Sequence, residues 1–218
     1  MHATAGRIIK PELLDDASGP GKQAALGDLV RIGRYLGGHR TVRWLFRRVT
    51  SRDEPFTVLD VGAASGDSAN IIRGVRPRAR VTSLDYRLDH LARAGEPKIA
   101  ADAFHLPFAP RSFDFVFCSL FLHHFDNEGV IALLGSFGAT ARRAVLVNDL
   151  ERGPMAYYFM PATRWLFHWD AITLHDAPAS VEAGFTKHEL EALATAAGLS
   201  KIEVRRHRPW ARLTLIAR

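Results

Sequence analysis

One stretch limits what this chain can fold into more than any other: Val58-Leu-Asp-Val-Gly-Ala-Ala-Ser-Gly-Asp67. A short apolar run ends on an acid, then passes through small residues into a helical pattern. In an α/β fold this is how a buried first strand enters a turn whose backbone can approach a ligand closely. The residues downstream repeat the arrangement. Asp85 closes a second strand-like run, Asp102 follows a third, and the segment 112–125 supplies a fourth. Acids at three successive strand ends suit a ligand carrying an amine, a ribose diol and an adenine.

The period of the apolar residues places the elements. Strands are predicted over 56–61, 80–85, 98–101, 113–119 and 143–148, with helices over 67–75, 87–94 and 127–138. Phe113, Phe115, Val116, Phe117 and Cys118 form an almost continuous apolar run, as a strand buried on both faces requires. Thr186 with Glu189 three residues on opens a helix over 186–197 that stops at Gly198. Strands near 201–207 and 211–217 then form a hairpin around Pro209-Trp210. The expected architecture is α/β: a doubly wound, Rossmann-like, seven-stranded and mostly parallel sheet with a C-terminal antiparallel hairpin.

Two regions lie outside that rhythm. Residues 1–28 are rich in turn formers around a short amphipathic patch, Pro11-Glu-Leu-Leu-Asp-Asp16, and 29–52 reads as two helices broken at Gly37-Gly38. Residues 151–184 carry Tyr157, Tyr158, Phe159, Trp165, Phe167 and Trp169, and read as an inserted helix plus loop. The chain is therefore expected to be one domain over 1–218, with an N-terminal helical cap over about 1–52 and the aromatic insert covering the acceptor side.

Composition bounds the function. With 47% apolar and 24% charged residues the chain is an ordinary globule, and its longest apolar runs are too short to cross a bilayer. With no signal-peptide pattern at the N-terminus, a cytoplasmic location is the expectation. The single cysteine, Cys118, reads as core. No Cys/His set has zinc spacing and no Gly-Lys-Ser/Thr phosphate loop occurs, so no metal is expected. Seven arginines and no acid lie between 29 and 52, within a net charge of +6. They read either as a solvated basic face or as an attraction for an anionic or carrier-bound acceptor or a membrane surface. No basic–aromatic motif favours nucleic acid.

Taken together, Leu59-Asp-Val-Gly-Ala-Ala-Ser-Gly66, Leu84-Asp85, Ala101-Asp-Ala-Phe-His-Leu-Pro-Phe108 and Ser112 through Phe125 resemble the class I S-adenosylmethionine (SAM)-dependent methyltransferases, of the small-molecule and quinone type. Pro11–Asp16 and the stretch 31–38 resemble an uncharacterised bacterial branch of that family more loosely. The resemblance implies SAM as cofactor. It implies that Asp60 orients the methionyl amine, and that Gly62, Ala63, Ala64 and Gly66 form the loop beneath it. It places Asp85 with Tyr86 at the ribose, Asp102 with Ala103 at adenine, and Ser119 and Leu120 beside the cofactor. Ala64 stands where the family usually has a middle glycine, which predicts a shifted loop.

His123 and His124, just past the fourth strand, are the catalytic candidates. Either imidazole could take a proton from an acidic hydroxyl, with His124 expected as the base and His123 facing the cofactor. Their alternative is a structural turn. Asn148, Asp149 and Glu151, and the pair His175-Asp176, are further acceptor-site candidates. The expected function is O-methylation of an aromatic, quinone or polyketide-like small molecule by a monomer or homodimer. N- or C-methylation, RNA methylation and a non-catalytic SAM-binding role stand as alternatives. A nicotinamide oxidoreductase is disfavoured, because 62–66 lacks Gly-x-Gly-x-x-Gly.

Overall fold

The computed structural model describes residues 6–17 and 19–218. Seven strands form one sheet: β1 (Phe56–Val61), β2 (Ala79–Asp85), β3 (Lys98–Ala100), β4 (Phe113–Ser119), β5 (Ala141–Leu150), β6 (Glu203–His207) and β7 (Arg212–Ala217). Their spatial order is β3-β2-β1-β4-β5-β7-β6, parallel except for β7, which runs antiparallel to both neighbours. The expected doubly wound sheet with its C-terminal hairpin is what the chain forms. The winding reverses between β1 and β4, so their carboxyl ends open a crevice where ligands bind in such sheets.

The helices are α1 (Leu13–Asp16), α2 (Gly19–Tyr35), α3 (Gly38–Val49), α4 (Asp67–Val75), α5 (Asn127–Thr140), α6 (Pro154–Phe167), α7 (Ala171–Ala183) and α8 (Lys187–Ala196). Both faces of the sheet are covered. Phe46 and Leu45 of α3 and Ile72 of α4 pack on Val58, Phe115, Phe117 and Leu146. On the opposite face Leu133 and Phe137 of α5 and Leu190 of α8 pack on Leu59, Val116, Cys118 and Val147. Alternate residues of β4 thus serve opposite cores, which is why its sequence is apolar without a break. Burial holds the Cys118 thiol well above its ordinary pKa, consistent with a core role and not a nucleophile.

Three elements depart from the sequence reading. The first long helix begins at Gly19, ten residues before the expected 29, because Pro20 falls in its first turn, where its missing N–H costs nothing. The segment 87–94 forms only a 3-10 turn, His90–Arg93. Asp85 accepts the Arg87 N–H at 3.2 Å and Arg87 pairs with Asp89 at 2.8 Å, which bends the chain before a helix can propagate. The aromatic insert is two helices, not one and a loop. His168 at φ 51° ends α6, and the Asp170 carboxylate caps α7 by accepting the Ile172 N–H at 2.9 Å.

Helices α2, α6 and α7 share a small core of Ile32, Met160 and Trp169 beside the carboxyl edge of the sheet. Acids fasten this assembly: Asp28 of α2 accepts the Asp170 N–H at 2.8 Å, and Asp176 of α7 accepts the N–H groups of Leu13 and Leu14 at 2.9 and 3.0 Å. Arg7 reaches the Phe125 carbonyl at 2.7 Å and lies over the Phe185 ring. The N-terminal segment is thereby tied to the turn that carries the two histidines.

Candidate active site

At the end of β1, Asp60 is 1% exposed and neither of its carboxylate oxygens has a hydrogen-bond partner among the described residues. Burial, moderated by Arg73 and reinforced by Asp85, raises its pKa to about 8. An acid held this way is incomplete: it needs a cation or donor brought in from outside. The turn that follows has positive φ at Gly62, Ala64 and Gly66. A Cβ at Gly62 would lie 2.3 Å from the Phe121 ring, and one at Gly66 2.9 Å from Ala94, so glycine is required at both for backbone conformation and for space.

Ala64 adopts the left-handed conformation at φ 44°, and its N–H donates to Asp85 at 3.0 Å. The loop therefore keeps its glycine-type path, with the strain concentrated at Ala64. Ala64→Gly is expected to stabilise the protein by about 1 kcal/mol, read as a rise in Tm. An unchanged or lower Tm would show that the conformation costs nothing here.

Asp85 is buried at the end of β2 and holds the loop, accepting from Ala64 and Arg87 amides and contacting His90 Nδ1 at 3.1 Å. A carboxylate has about four acceptor sites, so little capacity remains for a diol unless His90 moves aside. Tyr86 beside it is 79% exposed. Asp102 accepts the Phe104 N–H and contacts His105 Nδ1, both at 2.9 Å, and these contacts hold its carboxyl below the ordinary range. Ala103 behind it is buried. The Ser119 hydroxyl accepts from the Asn148 amide at 2.8 Å, and Asn148 Oδ1 lies 2.8 Å from the Thr41 hydroxyl. Asn148 is thus a strut between β4, β5 and α3 and not a pocket group.

Beyond β4 the chain turns sharply, with Leu120 at φ 53° leading into the 3-10 turn Leu122–His124. Asp149, fully buried at the end of β5, organises this turn. It accepts the Leu122 N–H at 2.9 Å and the Leu150 N–H at 2.8 Å, and contacts His123 Nδ1 at 2.7 Å. Burial alone would raise its carboxyl, but His123 and the surrounding donors outweigh it, and its pKa stays below the usual value. A carboxylate on Nδ1 fixes that nitrogen as the protonated one, leaving the Nε2 lone pair of neutral His123 available.

His123 and Leu120 border a cavity of about 330 Å³ roofed by α2, α6 and α7. Its walls are mostly apolar, including Leu29, Leu36, Phe159, Val181 and Trp210, with Glu12, Arg212 and Ser180 among the polar groups. His123 is buried against Asp149, whereas His124 is exposed at the rim. Glu12 Oε1 lies 3.9 Å from His123 Nε2, beyond hydrogen-bonding distance, and is held by the Ser180 hydroxyl. Glu12, His123 and His124 offer nitrogen and oxygen atoms all within 4.8 Å of one another, a grouping that sequence spacing does not reveal.

Two sequence candidates fall outside this cavity. His175 does contact Asp176 at 2.9 Å, but Asp176 is engaged in fastening α1 and His175 faces solvent. Glu151 pairs with Arg206 at 2.8 Å. Sequence reasoning missed Glu12 and Arg212 as site residues. The sole signal for Glu12 was its place in the Pro11–Asp16 patch, and no motif singled out Arg212.

A family model described as methyltransferase domain matches residues 59–133, the span from β1 into α5. No curated protein matches the chain significantly. Among solved structures, the plantazolicin methyltransferase BpumL with bound SAH is 14% identical at a TM-score of 0.66, over 92% of this chain and 91% of that one. A SAM-dependent methyltransferase from Aquifex aeolicus is 15% identical at 0.60, over 92% and 98%. A candidate O-methyltransferase from Nostoc punctiforme is 21% identical at 0.59, over 84% of this chain but only 56% of its own length. At these identities the likeness is one of fold.

Proposed function

We propose that this chain is a class I SAM-dependent methyltransferase and that it transfers a methyl group to an oxygen of an aromatic, quinone or polyketide-like small molecule; the methyltransferase-domain match over 59–133 and the fold support the reading. The residues fit the cofactor: the Asp60 carboxylate, unpartnered among the described residues, suits the methionyl ammonium, and the Gly62–Gly66 turn beside it follows a left-handed path at Gly62, Ala64 and Gly66. Asp85 with Tyr86 would face the ribose, and Asp102 with Ala103 the adenine. Bound SAM supplies an electrophilic methyl on a sulfonium. What the chain's own residues supply is alignment and proton removal in a water-poor pocket.

The observation that carries the O-methyl reading is the pairing of His123 with Asp149 beside a largely apolar cavity. His123 Nε2 accepts the acceptor's hydroxyl proton, and Asp149 holds the ring and offsets the charge that develops on it. Helices α2, α6 and α7 form the acceptor lid, and an apolar cavity of this size suits a one- or two-ring molecule. In solution the reading is a monomer or homodimer with no nucleic-acid partner.

The test is transfer from radiolabelled SAM to matched phenols, hydroxyquinones and anilines, with products identified by mass spectrometry. O-methyl products are expected, and they should persist after EDTA dialysis. Products methylated only on nitrogen or carbon would overturn the acceptor assignment. Loss of activity with EDTA and its recovery with a divalent ion would make Glu12, His123 and His124 a metal site instead.

A further inference from the structure

Arg212 is the first residue of β7, opposite Leu150 of β5, and it lines the acceptor cavity. It is 3% exposed, and among the described residues its Nε and Nη1 have no hydrogen-bond partner. Arg7, Arg76 and Arg152, by contrast, donate to carbonyl or carboxylate oxygens. A guanidinium is the most donor-rich side chain, with five N–H groups in a planar fork. Burying it unpaired is costly, and the nearby Asp149, already bonded to His123, Leu122 and Leu150, relieves it only at a distance. Among the described residues no acceptor meets its Nε or Nη1.

We propose that Arg212 is the anchor for a carboxylate on the methyl acceptor, so that the substrate is a hydroxy acid, its acid group on Arg212 and its hydroxyl on His123. This rests on the acceptor-site reading above and deepens it. A planar carboxylate matches the guanidinium fork in two parallel hydrogen bonds. A monoanion fits better than a phosphate dianion, because Glu12 lines the same cavity, Asp149 lies near enough to act on Arg212, and Arg212 is the one arginine lining the cavity among the described residues. The apolar walls between then select the body of the molecule.

The experiment uses the full chain loaded with S-adenosylhomocysteine and titrated calorimetrically with hydroxybenzoic and hydroxynaphthoic acids against their primary amides. At least one acid should bind tenfold or more tightly than its amide. That preference should fall to twofold or less in Arg212→Gln and be partly kept in Arg212→Lys. S-adenosylhomocysteine affinity should be unchanged in both variants. Free Arg212→Met should melt no lower than the parent, since it removes an unpaired buried cation. The proposal is overturned by acids and amides binding equally, by no acid binding, by a preference that survives in Arg212→Gln, or by Arg212→Met failing to fold. Failure of S-adenosylhomocysteine itself to bind the parent chain would strike the methyltransferase reading, and the methyl-acceptor assignment with it, whereas loss of the acid preference with S-adenosylhomocysteine bound strikes the Arg212 assignment alone.

Discussion

Asp60→Asn should make the free protein more stable and the cofactor complex much weaker. The folded protein holds this acid at about 8, far above the roughly 3.9 of an unfolded chain. Between those values the native state keeps a proton that the unfolded state has released. Stability from this group is therefore full at acid pH, falls as pH rises through the window, and levels off above about 8. Asparagine removes that slope. Because its amide is also left unpartnered, the gain near pH 8 should be partial, roughly 1–3 kcal/mol by denaturant melts.

The same substitution removes the carboxylate proposed to meet the ammonium. Breaking such a buried pair costs about 3 kcal/mol or more, a loss of at least a hundredfold in SAM affinity. A proton count separates this from general damage. In the parent chain below pH 8, SAM binding must expel the Asp60 proton. Affinity should then climb nearly tenfold per pH unit between 6 and 7.5, with close to one proton released when calorimetry is repeated in buffers of different ionisation enthalpy. Asp60→Asn should release none. Equal SAM affinity in parent and variant would remove Asp60 from the site.

His123→Gln is expected to lower kcat for a phenolic acceptor by 10²–10⁴-fold, the usual worth of a positioned base, while SAM affinity changes little. Glutamine can keep a hydrogen bond to Asp149 but cannot take a proton at neutral pH. Raising the pH toward the acceptor's own pKa should restore much of the rate, because an already ionised hydroxyl needs no base. A purely structural histidine predicts no such rescue. His124→Gln, altering an exposed rim residue, should cost tenfold or less. Asp149→Ala is expected to lower stability by at least about 3 kcal/mol, since it strips buried amides and His123 of their acceptor.

Much of the carboxyl edge of the sheet was readable from the chain. Asp60, Asp85 and Asp102 follow apolar runs whose period marks them as strands, and a parallel sheet brings consecutive strand ends to one edge. Gly62 and Gly66 stood in the turn where positive φ was needed. The rest needed contacts that sequence position does not give. His175-Asp176 looked like an oriented pair because the two are adjacent, yet adjacency says nothing about what else a carboxylate serves; here it fastens α1. Asn148 sat at a strand end but was already committed to Thr41 and Ser119. The aromatic insert does line the cavity, through Phe159 and Met160 of α6 and Val181 of α7, whereas its Trp165 is 79% exposed.

By itself, then, the sequence determined the sheet, the glycine turn and the row of acids, because strand period, chain sense and backbone conformation are local properties that residues write directly. Tertiary structure alone decided which histidine turns inward, and that Glu12 and Arg212 border the same cavity. Those two residues lie 200 positions apart (212 − 12). Their meeting depends on how α1, α7 and the β6–β7 hairpin pack, and packing is settled by burial and hydrogen-bond satisfaction summed over the whole fold.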